Sequence, residues 1–274
     1  MNYDALAMSS ITDRFRQLHQ SGCFVIPNPF DIGSARVLEH LGFPALATTS
    51  AGFAWTLGKR DNRVTLDEEL AHLRAVSGAV NVPVNADFEG GFAVEPDDVA
   101  RNVAAAAATG IAGLSIEDSA KDAPEGLIDF ELAVARIRAA RRALDRSGTG
   151  VMLTARSEGF IAGRPDLEET IRRLVAFAAE GADCLYAPGI RDFDSLAKVV
   201  QAVAPKPVNI LAWAGVSVDE LARVGARRIS VGGALARTAW TGFMAAAREI
   251  AEKGTFVPFG PAMPGADING LFEP

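Results

Sequence analysis

Eight short apolar runs, a helical pattern after each, and polar or acidic residues where several of the runs end predict an α/β chain. The predicted fold is one closed (β/α)8 TIM-type barrel, a single domain over residues 1–274. Strands alternating with helices of about ten or more residues imply βαβ units and parallel pairing. Eight such units fit 274 residues, close to the ~250 typical of one barrel. An open doubly wound sheet would normally bring a GxGxxG after an early strand, and the chain has none.

The predicted strands cover 23–26, 45–49, 82–87, 113–117, 151–156, 184–186, 207–211 and 228–233. The helices that follow them cover 32–40, 66–80, 96–109, 130–146, 167–180, 192–203, 218–224 and 234–252. Gly22, Gly42, Gly110, Gly181 and Gly225 each lie between a helix and the next strand, where helices end in a left-handed residue. The segment between residues 50 and 66 reads as a long loop, and 253–274 as an irregular tail. That tail holds four prolines and three glycines after Thr255, yet keeps Phe256, Phe259, Leu271 and Phe272, so it is expected to pack on something, such as a partner subunit.

Hydrophobic residues make up 49% of the chain, enough for a large core, and charged residues 22%, ordinary for a soluble protein. The net charge of −7, with no basic patch, argues against nucleic acid as a partner. No uncharged apolar run reaches the ~18 residues that a bilayer span needs. Residues 1–16 carry Asp4, Asp13, Arg14 and Arg16 and show no apolar core of a secretory signal. The two cysteines, Cys23 and Cys184, sit in apolar runs and read as reduced, buried thiols. A reducing cytoplasm is the expected compartment.

The chemistry is expected at the strand ends, the catalytic face of such a barrel. Asp87 closes the third strand and Glu117-Asp118 the fourth. Adjacent strands lie ~4.8 Å apart, so these tips can share one ion. Hard oxygen ligands there suit Mg²⁺, or Mn²⁺. The plain alternative for a single strand-end Asp is a helix cap. Asp118 and Glu89 could have such local roles, and Asp31, just before a helix, is expected to be an N-cap. Arg156 at the end of the fifth strand can hold a carboxylate bidentately or pair with Glu158 or Glu117. Asn209 can donate to a carboxylate or satisfy loop backbone. Gly232-Gly233 could cradle phosphate, but tight packing is favoured because no basic residue follows before Arg237. His19, His40 and His72 lie on helices or near their ends and read as surface or helix-end residues away from the strand tips, which disfavours histidine acid–base catalysis. None of the five lysines ends a strand, which disfavours a Schiff-base aldolase.

Seven ordered motifs now converge on one family. They are Asn28-Pro29-Phe30-Asp31-Ile32-Gly33-Ser34-Ala35, Thr49-Ser50-Ala51-Gly52, Gly58-Lys59-Arg60-Asp61, Asn85-Ala86-Asp87, Glu117-Asp118, Thr154-Ala155-Arg156-Ser157-Glu158 and Ser230-Val231-Gly232-Gly233. In these the chain resembles the isocitrate lyase/phosphoenolpyruvate mutase superfamily, over roughly residues 20–250. The resemblance implies a barrel whose last helices swap between subunits of a homo-oligomer, a dimer or a dimer of dimers (a homotetramer). It implies Mg²⁺ holding the carboxylate and 2-oxo oxygen of a pyruvate-like unit. By position, the metal falls to Asp87, Asn85 and Glu117, and catalysis to Asp61, Arg156 and Glu117. Substrate binding falls to Thr49, Ser50, Ala51, Arg156 and Asn209.

Three departures matter. The first metal carboxylate of the family's Asp-x-Asp pair is Asn85 here, which costs the site a negative charge. The loop 119–126 has neither the Cys nor the His of the isocitrate and methylisocitrate lyases. Of the lysines in the mutase-type loop only Lys121 survives. The expected function is therefore a Mg²⁺-dependent lyase acting on a small 2-oxo or 2-hydroxy (di)carboxylate. C–C cleavage would proceed through a metal-bound pyruvate-type enolate, as in oxaloacetate decarboxylation or a retro-aldol/Claisen step. Decarboxylation is attractive because it needs no external proton-transfer residue in the depleted loop. The alternatives are a P–C bond enzyme acting on phosphonopyruvate, with Lys121 or Arg164 over the ligand, and a barrel that binds a 2-oxo acid without turnover.

Overall fold

The computed structural model describes residues 10–119 and 126–272. Its eight strands are β1 (Phe24–Ile26), β2 (Leu46–Ala47), β3 (Val84–Asp87), β4 (Gly113–Glu117), β5 (Met152–Arg156), β6 (Cys184–Tyr186), β7 (Val208–Leu211) and β8 (Arg228–Ser230). They pair in parallel in the order β1-β8-β7-β6-β5-β4-β3-β2. The remaining edge is joined where the Ala47 amide donates to the Pro27 carbonyl at 3.0 Å, so the sheet is a nearly closed (β/α)8 barrel. The five glycines expected to end helices all adopt positive φ, between +71° and +104°.

The helices are α1 (Ile11–Leu18), α2 (Ile32–His40), α3 (Ser50–Thr56), α4 (Leu66–Ala79), α5 (Pro96–Ala107), α6 (Phe130–Ser147), α7 (Leu167–Ala179), α8 (Phe193–Val203), α9 (Val218–Val224), α10 (Ala234–Lys253) and α11 (Gly265–Gly270). Two were not expected from the sequence: α1, and α3 inside the segment read as a loop. The tail is not wholly irregular either, since it contains a 3₁₀ turn over Val257–Phe259 as well as α11.

Strand side chains alternate between two environments. Leu114, Ile116, Leu153, Ala155, Leu185, Val208, Ile210 and Ile229 face the helices and form the main core with α5 to α9. The opposite face of the same strands lines the lumen. At the start of the strands it is apolar, where Phe15 of α1 packs with Phe24, Ala45, Ala112 and Met152 and closes that end of the barrel. Gly113 makes this closure possible: a Cβ there would lie 2.6 Å from the Phe15 ring and 2.7 Å from Asn85 Oδ1. Higher up, the lumen is polar, with Asn85, Ser115, Thr154, Asn209, Arg228 and Ser230 in place of the branched apolar layers usual in such barrels.

Two surface expectations are corrected. His19 and His72 are buried. His19 ends α1, accepts or donates at the Phe15 carbonyl and lies edge-on to Phe24. Burial, with Arg228 next, pushes its imidazole down to about 3. His72 stacks on Phe53 with centroids 3.8 Å apart, and burial holds it down to about 4. Both cysteines are free, but only Cys184 is fully buried, Cys23 being half-buried just before β1.

Helix α10 runs for 20 residues with only Ala236 buried. Trp240, Phe243, Met244 and Ile250 stand exposed on it, and Phe256, Val257 and Phe259 continue the apolar surface into the tail. No helix among the described residues is long and apolar enough to cross a membrane.

Gly113→Ala is expected to lower stability by about 1–3 kcal/mol through overpacking against Phe15. Thermal denaturation of the variant checks this. An unchanged midpoint would show that α1 yields freely at the barrel's base.

Candidate active site

Register brings the charged tips together. Glu117 on β4 pairs directly with Arg156 on β5, and Asp87 on β3 pairs with Ser115, two residues before Glu117. Arg156 Nη1 lies 3.3 Å from both Asp87 Oδ1 and Glu117 Oε2. Its Nε donates to Glu158 Oε1. Its guanidinium carbon sits 5.3 Å from the Tyr186 ring centroid. Three carboxylates thus share one guanidinium, so both partners named for Arg156 from the sequence are present and Asp87 is a third.

Local structure fixes each member. The Ser50 amide and hydroxyl both donate to Asp87 Oδ2, at 3.0 and 2.9 Å. Ser50 opens α3, whose N-cap is Thr49, with Ala51 in the same first turn. Thr48 Oγ1 accepts from the Asp87 amide at 2.9 Å. Ser119 donates to Glu117 Oε1, and its backbone bridge to Leu127 closes the neck of the following loop. Asp118 is turned away from the mouth, accepting from the Glu158 amide, Ser157 and Arg173. Its role is local, as expected, and Asp31 caps α2 through Ser34.

The electrostatics follow from this crowding. Burial pushes the Glu158 carboxyl up to about 7, Arg156 pulls against the rise, and Glu117 adds to it. Burial works against the Arg156 charge, but Glu158, Glu117 and Asp87 together hold the guanidinium firmly protonated. Tyr186 is pushed up to about 12 by burial, with Arg156 opposing.

Asn85 and Asp87 face the same side of β3, with Asn85 one layer deeper. Its Oδ1 accepts from Arg228 Nη1 at 3.4 Å. Asn209 is in the same deep layer, accepting from Arg228 Nε at 2.9 Å and donating to Ser230 Oγ at 2.9 Å. Asp61 lies exposed in the loop between α3 and α4. At the last strand, the Val231 and Gly232 amides both donate to Asn28 Oδ1 at 2.9 Å, so this turn serves Asn28. Lys121 falls outside the described residues, and Arg164 lines a groove beside the mouth with Asp129, Phe130 and Arg172.

Two residues escaped the sequence reading. Arg228 is one. The other is Glu69 on α4, 1% exposed, with neither carboxylate oxygen hydrogen-bonded to a described residue. Burial raises its carboxyl well above the usual range, and Asp87 and then Glu89 add to the rise. The signal was present in the helical period: Glu69 shares a face with Leu73 and Val76, both fully buried.

Among the described residues no set of three or more His, Cys, Asp or Glu side chains is arranged to hold a metal ion. Asp87 and Glu117 nevertheless present hard oxygens to one cationic neighbour. Two such carboxylates suit Mg²⁺, which keeps several waters or substrate oxygens and needs only one or two protein ligands.

A barrel with an arginine and carboxylates at its strand ends is the class defined here. The chain belongs to the phosphoenolpyruvate phosphomutase family, whose model matches residues 15–251, and so to the isocitrate lyase/phosphoenolpyruvate mutase superfamily. It is 31% identical over 224 residues to an oxaloacetate decarboxylase of Pseudomonas entomophila (strain L48), covering 78% of this chain and 75% of that one. The structure of 2,3-dimethylmalate lyase superposes with a TM-score of 0.86 at 27% identity, over 96% of this chain and 95% of that one. Oxaloacetate acetylhydrolase with its product oxalate gives a TM-score of 0.86 at 25% identity, over 96% and 94%.

Glu69→Gln tests the buried acid. A carboxyl that stays protonated in the native state but ionises at about 4.5 when unfolded makes stability fall as pH rises above 4.5. Glu69→Gln removes that loss. Its melting temperature should exceed the parent's at pH 7–8, by about 2–4 °C per kcal/mol recovered, and match it near pH 4. A variant equally or less stable at pH 8 would show that the buried carboxyl does not carry this pH-dependent cost.

Proposed function

We propose that the protein is a Mg²⁺-dependent C–C lyase acting on a small 2-oxo dicarboxylate, with oxaloacetate decarboxylation the favoured reaction. The observation that carries this is the Arg156 guanidinium shared by Asp87 and Glu117 at the barrel mouth. The named activities of the relatives support it.

In this reading Asp87 and Glu117 hold the metal, with Asn85 beneath them, and the bound ion would offset negative charge developing on the 2-oxo oxygen. Arg156 takes a substrate carboxylate. Thr49, Ser50 and Ala51 at the start of α3, with Asn209 deeper, position the 2-oxo acid. Asp61 orders the site from its loop. Breakage of the bond to the departing carboxylate releases CO₂ and leaves its electron pair as the enolate of pyruvate. A proton from water then completes pyruvate. Glu158, at about 7, is the group beside Arg156 best able to exchange a proton near neutrality. The P–C reading is less favoured because the Val231 and Gly232 amides, a natural phosphate cradle, are occupied by Asn28.

The chain is also read as a homo-oligomer, a dimer or tetramer, because α10 leaves Phe243 61% exposed beside Trp240 and has little of its own barrel to cover it.

Proton NMR of oxaloacetate with protein and Mg²⁺ should show loss to pyruvate well above the rate with Mg²⁺ alone. EDTA should abolish the excess, and Asp87→Asn should cut it by about 10²-fold or more. No excess rate would remove the decarboxylase reading. If pyruvate still bound in a Mg²⁺-dependent way, the non-catalytic reading would replace it.

Light scattering with size exclusion should give a dimer or tetramer for the parent. The double variant Trp240→Glu, Phe243→Glu should give a smaller species. A monomeric parent would refute the interface.

A further inference from the structure

Among the described residues, Arg228 and Arg136 are the two buried arginines with no carboxylate in ion-pair reach, and only Arg228 lines the cavity at the mouth. Arg156 and Arg173 face carboxylates, and Arg136 donates to the backbone carbonyls of Gly90 and Ala93. Arg228 is 3% exposed, and its partners are all neutral: Asn209 Oδ1 at 2.9 Å, Thr154 Oγ1 at 3.2 Å and Asn85 Oδ1 at 3.4 Å. No described carboxylate lies within ion-pair reach of it. A buried charge without a counter-charge costs several kcal/mol, so a fold retains one only where something else is gained. Filling this level does not take a cation, since barrels usually fill it with branched apolar residues, and the acceptors Arg228 satisfies are neutral groups that a neutral donor could serve.

Its position supplies the gain. Arg228 and Arg156 line the same cavity at the barrel mouth, together with Asn28, Ser115, Asn209 and Ser230. The cavity, of about 40 Å³, has room for roughly three ordered waters or one carboxylate head group. Asp87 also lines the cavity, but its oxygens are engaged by Ser50 and Arg156; the groups around Arg228 itself are neutral hydroxyls and amides, so its guanidinium charge faces the cavity without an ion-pair partner. Asn85 preserves this: an Asp at the same position would pair with Arg228 and cancel it.

We propose that Arg228 is a substrate-binding residue, a fixed cation at the floor of the site that selects dianionic over monoanionic 2-oxo acids. This rests on the assignment of the mouth as the substrate site. A ligand with two anionic groups would present one to Arg156 and aim the other toward Arg228, where low dielectric strengthens the attraction.

Binding, not turnover, tests this. Isothermal titration of oxalate and of pyruvate, each with Mg²⁺ and with EDTA, would be run on the parent, Arg228→Met and Arg228→Lys. The parent should bind oxalate at least about tenfold more tightly than pyruvate, and Arg228→Met should remove about tenfold from oxalate but under about threefold from pyruvate. Arg228→Lys, which keeps the charge, should retain most of the oxalate preference. The ligand-free melting temperature of Arg228→Met should change little, since removal of a buried unpaired ion offsets the loss of the donor to Asn85, Asn209 and Thr154.

A lowered melting temperature with oxalate binding intact would overturn the proposal and make Arg228 a structural hub. So would equal losses for both ligands, or a parent that binds oxalate no better than pyruvate. If Arg228→Met does not fold, a parent-like oxalate preference in Arg228→Lys supports the proposal and its loss counts against it. Absence of oxaloacetate turnover with the oxalate preference intact would refute only the decarboxylase reading.

Discussion

Three carboxylates crowd one guanidinium at the barrel mouth, and most of the local structure exists to hold them there. Arg156 lies between Asp87, Glu117 and Glu158. Each acid is tied from a second side: Asp87 by the start of α3, Glu117 by Ser119 in the neck of the next loop, and Glu158 through its amide on Asp118. Removing Arg156 would leave like charges facing one another in a buried setting. The positions of α3, the loop neck and the end of β5 are therefore coupled through one cation. Burial first, and then the neighbouring Glu117 charge, lift Glu158 to about 7 against the pull of Arg156, and the same excess of negative charge would make a divalent ion welcome beside Asp87 and Glu117.

One layer below, the sign reverses. The deep lumen carries a guanidinium among amides and hydroxyls, and the field it creates reaches His19 at the closed end of the barrel. Acids above and a cation below give the lumen a polarity along its axis. An apolar filling would have been more stable, because every polar group here must be matched by another across strands. Arg228 alone draws on β3, β5 and β7 for its hydrogen bonds. Such a layer is understandable in a site that must orient a small polar ligand, and hard to explain as packing.

The sequence made the barrel legible because two periods were visible at once: alternating strand residues, and helices closed by glycines that do adopt positive φ. Every expected strand lies where the apolar runs are; β4 and β6 have the expected bounds and the other six are shorter. The unexpected elements are the short ones. α1 spans 8 residues and is marked only by the Ser10–Asp13 capping box and one short apolar stripe, Ile11, Phe15 and Leu18, while α3 begins three residues after the end of a strand of just 2 residues. Of the site, strand-end position identified Asp87, Glu117 and Arg156 because strand ends converge whatever the exact register. Ser50's grip on Asp87 was less visible, since it depends on α3. Arg228 was missed because its meaning lies in partners 19, 74 and 143 residues away. His19 and His72 were misread because helical location says nothing about which face is buried.

Position 85 shows why a motif is best judged with its spatial neighbours. Read along the chain, Asn85 is a lost metal carboxylate. Read across the lumen, its amide oxygen is an acceptor for Arg228, and its neutrality leaves that guanidinium charged toward the cavity. Restoring a carboxylate at 85 alone would not recreate a metal ligand, because the nearest cation is already 3.4 Å away and cannot release its proton. The new acid would be captured as a buried ion pair, and the floor of the site would turn neutral. The loss of one negative charge at β3 and the presence of one positive charge at β8 are thus a single electrostatic change. On the proposed reading, it would shift the task of attracting an anionic substrate from a tightly held metal toward the protein itself.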